Sequence, residues 1–423
     1  MTQTPVPVAE SATAVPSDLQ DERLIRPVGV RQNVAAQLKR IRTGDLGSLP
    51  VIIGLVLISI IFEILDPVFL GADNLSLLFL NASFYGVVSV GIVLVLLLGQ
   101  IDLSVGSMSG FAAAIFGISL TQGKIPEWLC LLLAVAAGCV IGLLYGILFV
   151  RFNVPSFVIT LAGLLAILGA QLATLGPAGD INIPSTTFIV QFSQQLYLPP
   201  WLAYLLVVIS AVGYAGGALL TARKRTKAGL SAQSRVGIFI KGALLLVVLA
   251  LVVTYLDSYQ YGGVADAFVF LVVLCLVMQY ALTRTRWGRS VFAVGGNVEA
   301  ARRAGIKVNR VYVTVFVLCS GLAAVGGLIA MGNLQSAGTQ SGTGDFNLDA
   351  IAGAVIGGTS LFGGRGSAWS ALLGILVITA ITSGLNLLSL DASVRYIITG
   401  AVLLLAVIVD SLSRRSRVAA GRA

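Results

Sequence analysis

Twelve apolar runs follow one another along this chain, at about 49–65, 76–98, 105–120, 128–150, 157–176, 200–220, 237–256, 267–282, 311–331, 348–363, 369–388 and 393–411. Most approach the length of about 20 residues that a helix needs to cross a bilayer. No stretch between them is long enough for a separate soluble domain. In hydrocarbon each backbone N–H and C=O must be satisfied within the protein, which favours helices. Composition agrees: 57% of the residues are hydrophobic and only 11% are charged, where soluble domains carry about 25% charged. The expected fold is an all-α integral membrane protein of about 10–12 transmembrane helices, with the membrane domain over 49–411.

The basic residues orient these runs. They gather before the first run, in 221–236, in 283–310 and after 411, while the loops 66–74, 177–199, 257–266 and 332–347 hold none. Lys and Arg concentrate in cytoplasmic loops, so both termini and the 283–310 loop are expected in the cytoplasm. The net charge of +9 follows from this asymmetry and gives no reason to expect a nucleic-acid partner. Residues 1–22 hold four acids and no Lys or Arg, which suits a disordered tail and not a signal peptide. Residues 1–48 thus read as a disordered, then basic, cytoplasmic N-terminal tail, and 412–423 as a basic C-terminal one. Cys130, Cys139, Cys275 and Cys319 all lie in apolar runs, so no disulfide framework or CxxC metal site is expected. The chain has no histidine, the commonest metal ligand.

Two runs differ from the rest. Val105–Leu120 and Leu348–Gly363 are short and rich in small residues, the first following Gly99-Gln100-Ile101-Asp102-Leu103-Ser104. Short, Gly-interrupted segments in matching positions of two halves point to a transport pathway. Asn153–Thr160 also resembles Asp391–Thr399, and alternating topology would make the two copies an inverted repeat, with broken or re-entrant segments in each. Asp102 and Asp349 stand where an acid can cap a helix start and favour its positive end. The spacings Gly138/Gly142/Gly146, Gly106/Gly110 and Gly353/Gly357 suit close helix packing. No acid sits at the centre of an ordinary run, where an ion-coupled carrier usually places one. The chain has no G-x-x-x-x-G-K-[ST] loop. Both absences fit a subunit driven by a separate ATPase.

Residues 285–310 are polar and basic between two apolar runs and read as helix–turn–helix. Residues 297–304 should form a short helix with Asn297 as N-cap, Glu299 near its positive end, Arg302 and Arg303 near its negative end, and Gly305 at the left-handed stop. Ala300, Ala301 and Ala304 would leave a smooth face for a partner.

Glu299-Ala300-Ala301-x-x-x-Gly305 resembles the loop by which permease subunits of binding-protein-dependent ABC importers dock on their ATPase. The surrounding Arg286-x-Gly288-Arg289, Ala293-Val294-Gly295-Gly296-Asn297 and Ala300-Ala301-Arg302-x-x-Gly305-Ile306 are similar to the monosaccharide branch. So are Gly99–Ser107, Phe152–Leu161 and Ile356–Ser367. The resemblance covers about 50–410. The extra pair of runs at 200–256 is similar to the xylose permeases. An Ile-x-Leu-Pro element of the general family pattern is missing after Gly305.

The resemblance implies a permease subunit moving a monosaccharide, D-xylose or a related pentose, across a bacterial cell membrane. This chain would not be an enzyme and would bind no cofactor; ATP and Mg would sit on an ABC ATP-binding subunit, often with tandem nucleotide-binding domains. An extracytoplasmic sugar-binding protein and a second permease copy, as a homodimer, would complete the system. The implied coupling residues are Gly288, Arg289, Gly295, Gly296, Asn297, Glu299, Ala300, Ala301, Arg302 and Gly305. A neutral, hydroxyl-rich sugar needs hydrogen-bonding groups along its path, and the candidates are Asn81, Ser83, Gln100, Asp102, Ser104, Ser107, Thr160, Asn386, Arg395 and Thr399. The alternative is a secondary carrier or facilitator for a small polar solute, working without an ATPase.

Overall fold

A computed structural model describes residues 49–258 and 263–391 and, beyond them, 393, 394, 396–402, 404, 405 and 408. The N-terminal tail over 1–48, the C-terminal tail over 412–423, Arg395 and part of the last apolar run lie outside the described residues. In chain order the helices are α1 (Leu49–Leu65), α2 (Ala72–Leu97), α3 (Val105–Thr121), α4 (Glu127–Phe152), α5 (Ser156–Leu175), α6 (Phe188–Gln194), α7 (Pro200–Lys227), α8 (Arg235–Asp257), α9 (Asp266–Arg284), α10 (Arg286–Gly296), α11 (Val298–Arg303), α12 (Val308–Leu334), α13 (Phe346–Ile356) and α14 (Ala368–Leu387). Two short strands, β1 (Ile181–Asn182) and β2 (Ser336–Ala337), pair antiparallel. The protein is an all-α membrane protein, with eight described helices long and apolar enough to cross a bilayer alone: α2, α4, α5, α7, α8, α9, α12 and α14.

The chain divides into two compact units, one of them Pro200–Thr254. This smaller unit is a helical hairpin. Gly242 on α8 faces Ala215 and Ala211 on α7, and the Tyr204 and Thr254 hydroxyls meet at 2.9 Å. In the basic connection the Arg225 Nε donates to the Ser231 carbonyl at 2.7 Å.

In the larger unit, burial separates inner helices from outer ones. The most apolar windows of α2, α14 and α12 are 83%, 72% and 61% buried, against 28%, 33% and 22% for α4, α5 and α9. The outer helices therefore present aliphatic faces to lipid, and the inner ones are held by packing. Association in lipid rests on close contact, not on expelling water. The α4–α12 crossing shows how. A side chain at Gly138 or Gly146 would meet the Ser320 carbonyl at 2.6 Å or the Val313 Cα at 2.7 Å, and one at Gly142 would overlap the Phe316 carbonyl.

α3 and α13 have 17 and 11 residues, about 26 and 17 Å of helix at 1.5 Å per residue. Neither spans alone. Each is preceded by a non-helical stretch, 99–104 before α3 and 338–345 before α13. The two broken spans run antiparallel. Gly99 approaches Phe362 and Gly363, Gly106 packs on Gly342, Gly110 on Ser341 and Gly117 on Ala337. The Asn347 amide donates to the Leu103 carbonyl at 2.7 Å, where the two helix starts meet. Opposed directions are one condition of an inverted repeat.

The expected run 348–363 is corrected here. Its helix ends at Ile356, and Gly358 adopts φ +101°, a region that ends a right-handed helix. The loop 177–199 holds β1 and α6. The Glu127 carboxylate accepts the Phe188 and Ile189 N–H groups at 2.9 and 2.8 Å, capping α6. β2 follows α12, so the sheet and α11 flank opposite ends of that 27-residue helix, about 40 Å apart.

Candidate functional site

The segment 285–305 builds two helices from local chemistry. Thr285 caps α10, its hydroxyl accepting the Gly288 N–H at 3.1 Å. Gly288 is buried where any Cβ would overlap the Ala281 and Leu282 carbonyls of α9. The Trp287 indole donates to the Thr314 hydroxyl at 2.9 Å, fastening α10 to α12. Asn297, extended at φ −160°, breaks the two helices apart and caps the second, accepting the Ala300 N–H at 2.9 Å. Such a cap contributes about 1 kcal/mol. At the far end Gly305 takes φ +80° with open space around it. Its N–H donates to the Arg302 carbonyl and that of Ile306 to the Ala301 carbonyl, at 3.0 and 3.1 Å. That pair of bonds is the Schellman stop, and a left-handed residue at its C′ position favours glycine.

The outward face differs in one residue from the expected alanine surface. Ala301 is buried against the protein, whereas Glu299, Ala300, Arg302, Arg303 and Ala304 are exposed. Glu299 and Arg302 pair at 3.0 Å with both side chains mostly in solvent, which adds little stability. Arg289 and Gly296 are exposed as well.

α10 also touches the turn before the first broken span and the turn after the second. Any Cβ on Gly295 would overlap the Leu97 carbonyl at the end of α2. That carbonyl accepts the Gly364 N–H at 2.8 Å. Ideal Cβ atoms on Gly363 and Gly364 would lie 2.8 Å from the Gly295 carbonyl and 3.2 Å from the Gly296 Cα.

The first break is sewn to its neighbours by side chains. The Asp102 Oδ1 accepts the Ser104 N–H at 2.8 Å and its hydroxyl at 2.7 Å. Asp102 and Ser104 are both buried, and Tyr145 and Cys319 close around them. The Asp102 carboxylate thus satisfies the residue before α3 and not the first turn of the helix itself. Ile101 and Leu103 donate their N–H groups to the Ser156 and Thr160 hydroxyl oxygens of α5, at 3.3 and 3.2 Å. Three N–H groups left open by the missing helical ladder, those of Ile101, Leu103 and Ser104, are thereby met by side chains, the kind of satisfaction a break inside a membrane demands. Asp102, Ser104 and Thr160 come together here, while the Gln100 amide turns back to the Leu98 carbonyl at 3.5 Å and Ser107 is buried in the first turn of α3. Ser156 and Tyr145 join them and are absent from the sequence-derived set; Ser156 sat inside the Phe152–Leu161 motif, while Tyr145 looked like one more aromatic in an apolar run.

The second break is held differently. The Gln171 amide of α5 donates to the Gly338 and Ser341 carbonyls at 2.9 and 3.1 Å, and the Ser89 hydroxyl donates to the Ala350 carbonyl at 2.7 Å. Asp345, not Asp349, is the N-cap of α13, and its side chain makes no cap bond. Asp349 is buried one turn in, beside Tyr85 and Asp345. The expectation that Asp349 caps this helix is corrected accordingly: its carboxyl lies past the open N–H groups.

The remaining candidates sit elsewhere. Asn81 is exposed on α2 beside buried Ser83, whose hydroxyl donates back to the Leu80 carbonyl. Asn386 is exposed near the end of α14, and Thr399 is half-buried in the helical residues beyond it.

Residues 74–407 match the family described as branched-chain amino acid transport system / permease component. The xylose transport system permease protein XylH of Escherichia coli is 33% identical over 350 residues, covering 83% of this chain and 88% of that protein. The ribose import permease protein RbsC is 29% identical over 357 residues in E. coli (84% of this chain, 91% of that protein) and 30% over 380 residues in Bacillus subtilis (90% and 98%). No solved structure matches. The chain therefore belongs to this permease family, as a multi-pass membrane transport subunit of the ABC-importer type on the branch that holds the xylose and ribose permeases.

Proposed function

We propose that the chain is the membrane subunit of an ATP-driven importer that moves a monosaccharide, xylose or a related pentose, into the cell. The observation that carries this reading is α11. It is a charged helix capped at both ends by its own residues, with Glu299, Ala300, Arg302 and Arg303 turned outward. A rigid charged knob on a protein this apolar has no use in lipid and suits a groove on a soluble partner. On this reading 283–310 and both termini lie in the cytoplasm, as the basic residues favour. Gly288, Arg289, Gly295, Gly296, Asn297, Glu299, Ala300, Ala301, Arg302 and Gly305 shape or face the docking surface for an ABC ATP-binding subunit. ATP and Mg are held by that partner, and nucleotide binding there biases the permease between its inward- and outward-facing states.

An extracytoplasmic sugar-binding protein delivers the sugar, and two copies of the chain enclose the path. Gln100, Asp102, Ser104, Ser107 and Thr160 shape that path at the first break, with Asn81, Asn386, Arg395 and Thr399 as further contacts. The hairpin at 200–256 and the 33% identity to a xylose permease favour xylose over ribose.

The test is uptake into proteoliposomes holding the permease, its ATPase and the binding protein. Labelled xylose should enter only with internal ATP, and unlabelled ribose should compete weakly. Entry without ATPase would replace this reading with a facilitator; stronger competition by ribose would overturn the choice of sugar alone.

A further inference from the structure

Three turns far apart in sequence meet at the inner end of α10: Leu97–Gly99 before the first broken span, Phe362–Gly364 after the second, and Gly295-Gly296 of the loop itself. They touch backbone to backbone. The Leu97 carbonyl lies against Gly295 and accepts the Gly364 N–H, and Gly363 lies between the Gly295 carbonyl and the Gly99 N–H. Side-chain contacts can slide through rotamer changes, but three packed backbones cannot, because interiors are close-packed and resist continuous deformation.

We propose that Gly295, Gly363 and Gly364 form a closed joint, which delivers movement of the α10–α11 loop at one point to both broken spans. The inference rests on the docking role given to that loop. It adds that Gly295, Gly363 and Gly364 are positioning residues that act between the loop and the path, contacting neither ATPase nor sugar. The joint explains why the loop carries two adjacent glycines with unlike surroundings. Gly295 has no room for a Cβ, whereas Gly296 has nothing within 4 Å of one.

A pair of alanine variants supplies the experiment. Wild type must first co-purify with its ATPase; failure there removes the docking reading itself. Gly295→Ala is then compared in proteoliposomes with Gly169→Ala, at an exposed glycine of α5 that has nothing within 4 Å of a Cβ, for co-purified ATPase, ATP hydrolysis and sugar uptake. Gly295→Ala should keep its ATPase and hydrolyse ATP while sugar moved per ATP falls by at least about tenfold, as small displacements remote from a reaction can do. Gly169→Ala should match wild type. An unchanged ratio in Gly295→Ala, or a loss that only follows loss of bound ATPase, would overturn the joint.

A second measurement covers the case in which Gly295→Ala does not fold. It reads amide exchange over 362–364 in the wild-type complex with its ATPase, with and without ATP, since the Gly364 N–H is bonded to the Leu97 carbonyl. Protection should be the same in both states, because a closed joint does not open during transport. Faster exchange in either state would show that the turns part, and would end the proposal.

Discussion

The two broken spans solve one problem by different means. Before α3, the backbone is met by side chains, two of them from α5: Ser156 for Ile101 and Thr160 for Leu103, with Asp102 of the break itself serving Ser104. Before α13, the chain turns on itself. The Gly338 N–H donates to the Ser341 hydroxyl, the Ser341 N–H to the Gly338 carbonyl and the Thr343 N–H to the Gln340 carbonyl. Gln171 and the Asp180 carboxylate, which accepts the Thr339 N–H at 3.1 Å, are what hold it from outside. The first break is built into the bundle, and the second rests against it. A span fastened along its length moves with its neighbours, while one fastened at a few points can move by itself.

The largest expected effect tests the first half of that contrast. Asp102→Leu leaves the Ser104 N–H and hydroxyl without their acceptor in a buried site. Each such group costs about 1–3 kcal/mol, so the variant should fail to yield a monodisperse protein in mild detergent. A variant that purifies like wild type would mean that this break is not held by its carboxylate. Next in size is Gln171→Leu, which removes both donors to Gly338 and Ser341 and should cost about 2 kcal/mol. Its mark is selective: faster amide exchange in 338–345 than in wild type, with 99–104 unchanged. Equal acceleration in both stretches would erase the distinction between the two breaks.

Thr160→Val keeps the side-chain shape but removes the acceptor of the Leu103 N–H. A loss of about 1–2 kcal/mol is expected, read as an earlier thermal transition with a thiol-reactive dye, since Cys130, Cys275 and Cys319 are buried until unfolding. The smallest effect belongs to Asp102→Asn, which retains an acceptor oxygen for Ser104. Folding and most transport should survive. Should this variant fold, bind its ATPase and yet fail to transport, the carboxylate would have a second role in the path beyond holding Ser104.

Much of this was legible in the sequence, for reasons that also mark where reading stopped. The apolar runs located the helices because lipid leaves a run of about 20 residues few alternatives. α11 was readable because its ends depend on local side chains: Asn297 caps and Gly305 stops whatever lies beyond. Which alanine faces inward was not, since a helix of six residues is too short for its periodicity to fix a face. The strands at 181–182 and 336–337 escaped because two-residue pairings carry no pattern. The caps of the first break escaped because Ile101 and Ser156 are joined only by the packing of α5 on α3. Asp349 misled for a related reason: composition locates a helix start to within a turn, and capping depends on the single residue at that start.

The same long-range bonds bear on how the protein is made. Ile101 and Leu103 find their acceptors 55 and 57 residues further along the chain, and the Leu103 carbonyl its donor 244 residues on. The first broken span therefore leaves the ribosome well before its partners exist. Open N–H groups in hydrocarbon cost several kcal/mol each, so 99–121 cannot be released into the bilayer by itself. The expected consequence is that a chain truncated before α5 leaves cysteines placed in 99–121 accessible to water-soluble thiol reagents while those placed in α2 are already protected by the bilayer, and that adding Ser156 and Thr160 brings the segment in.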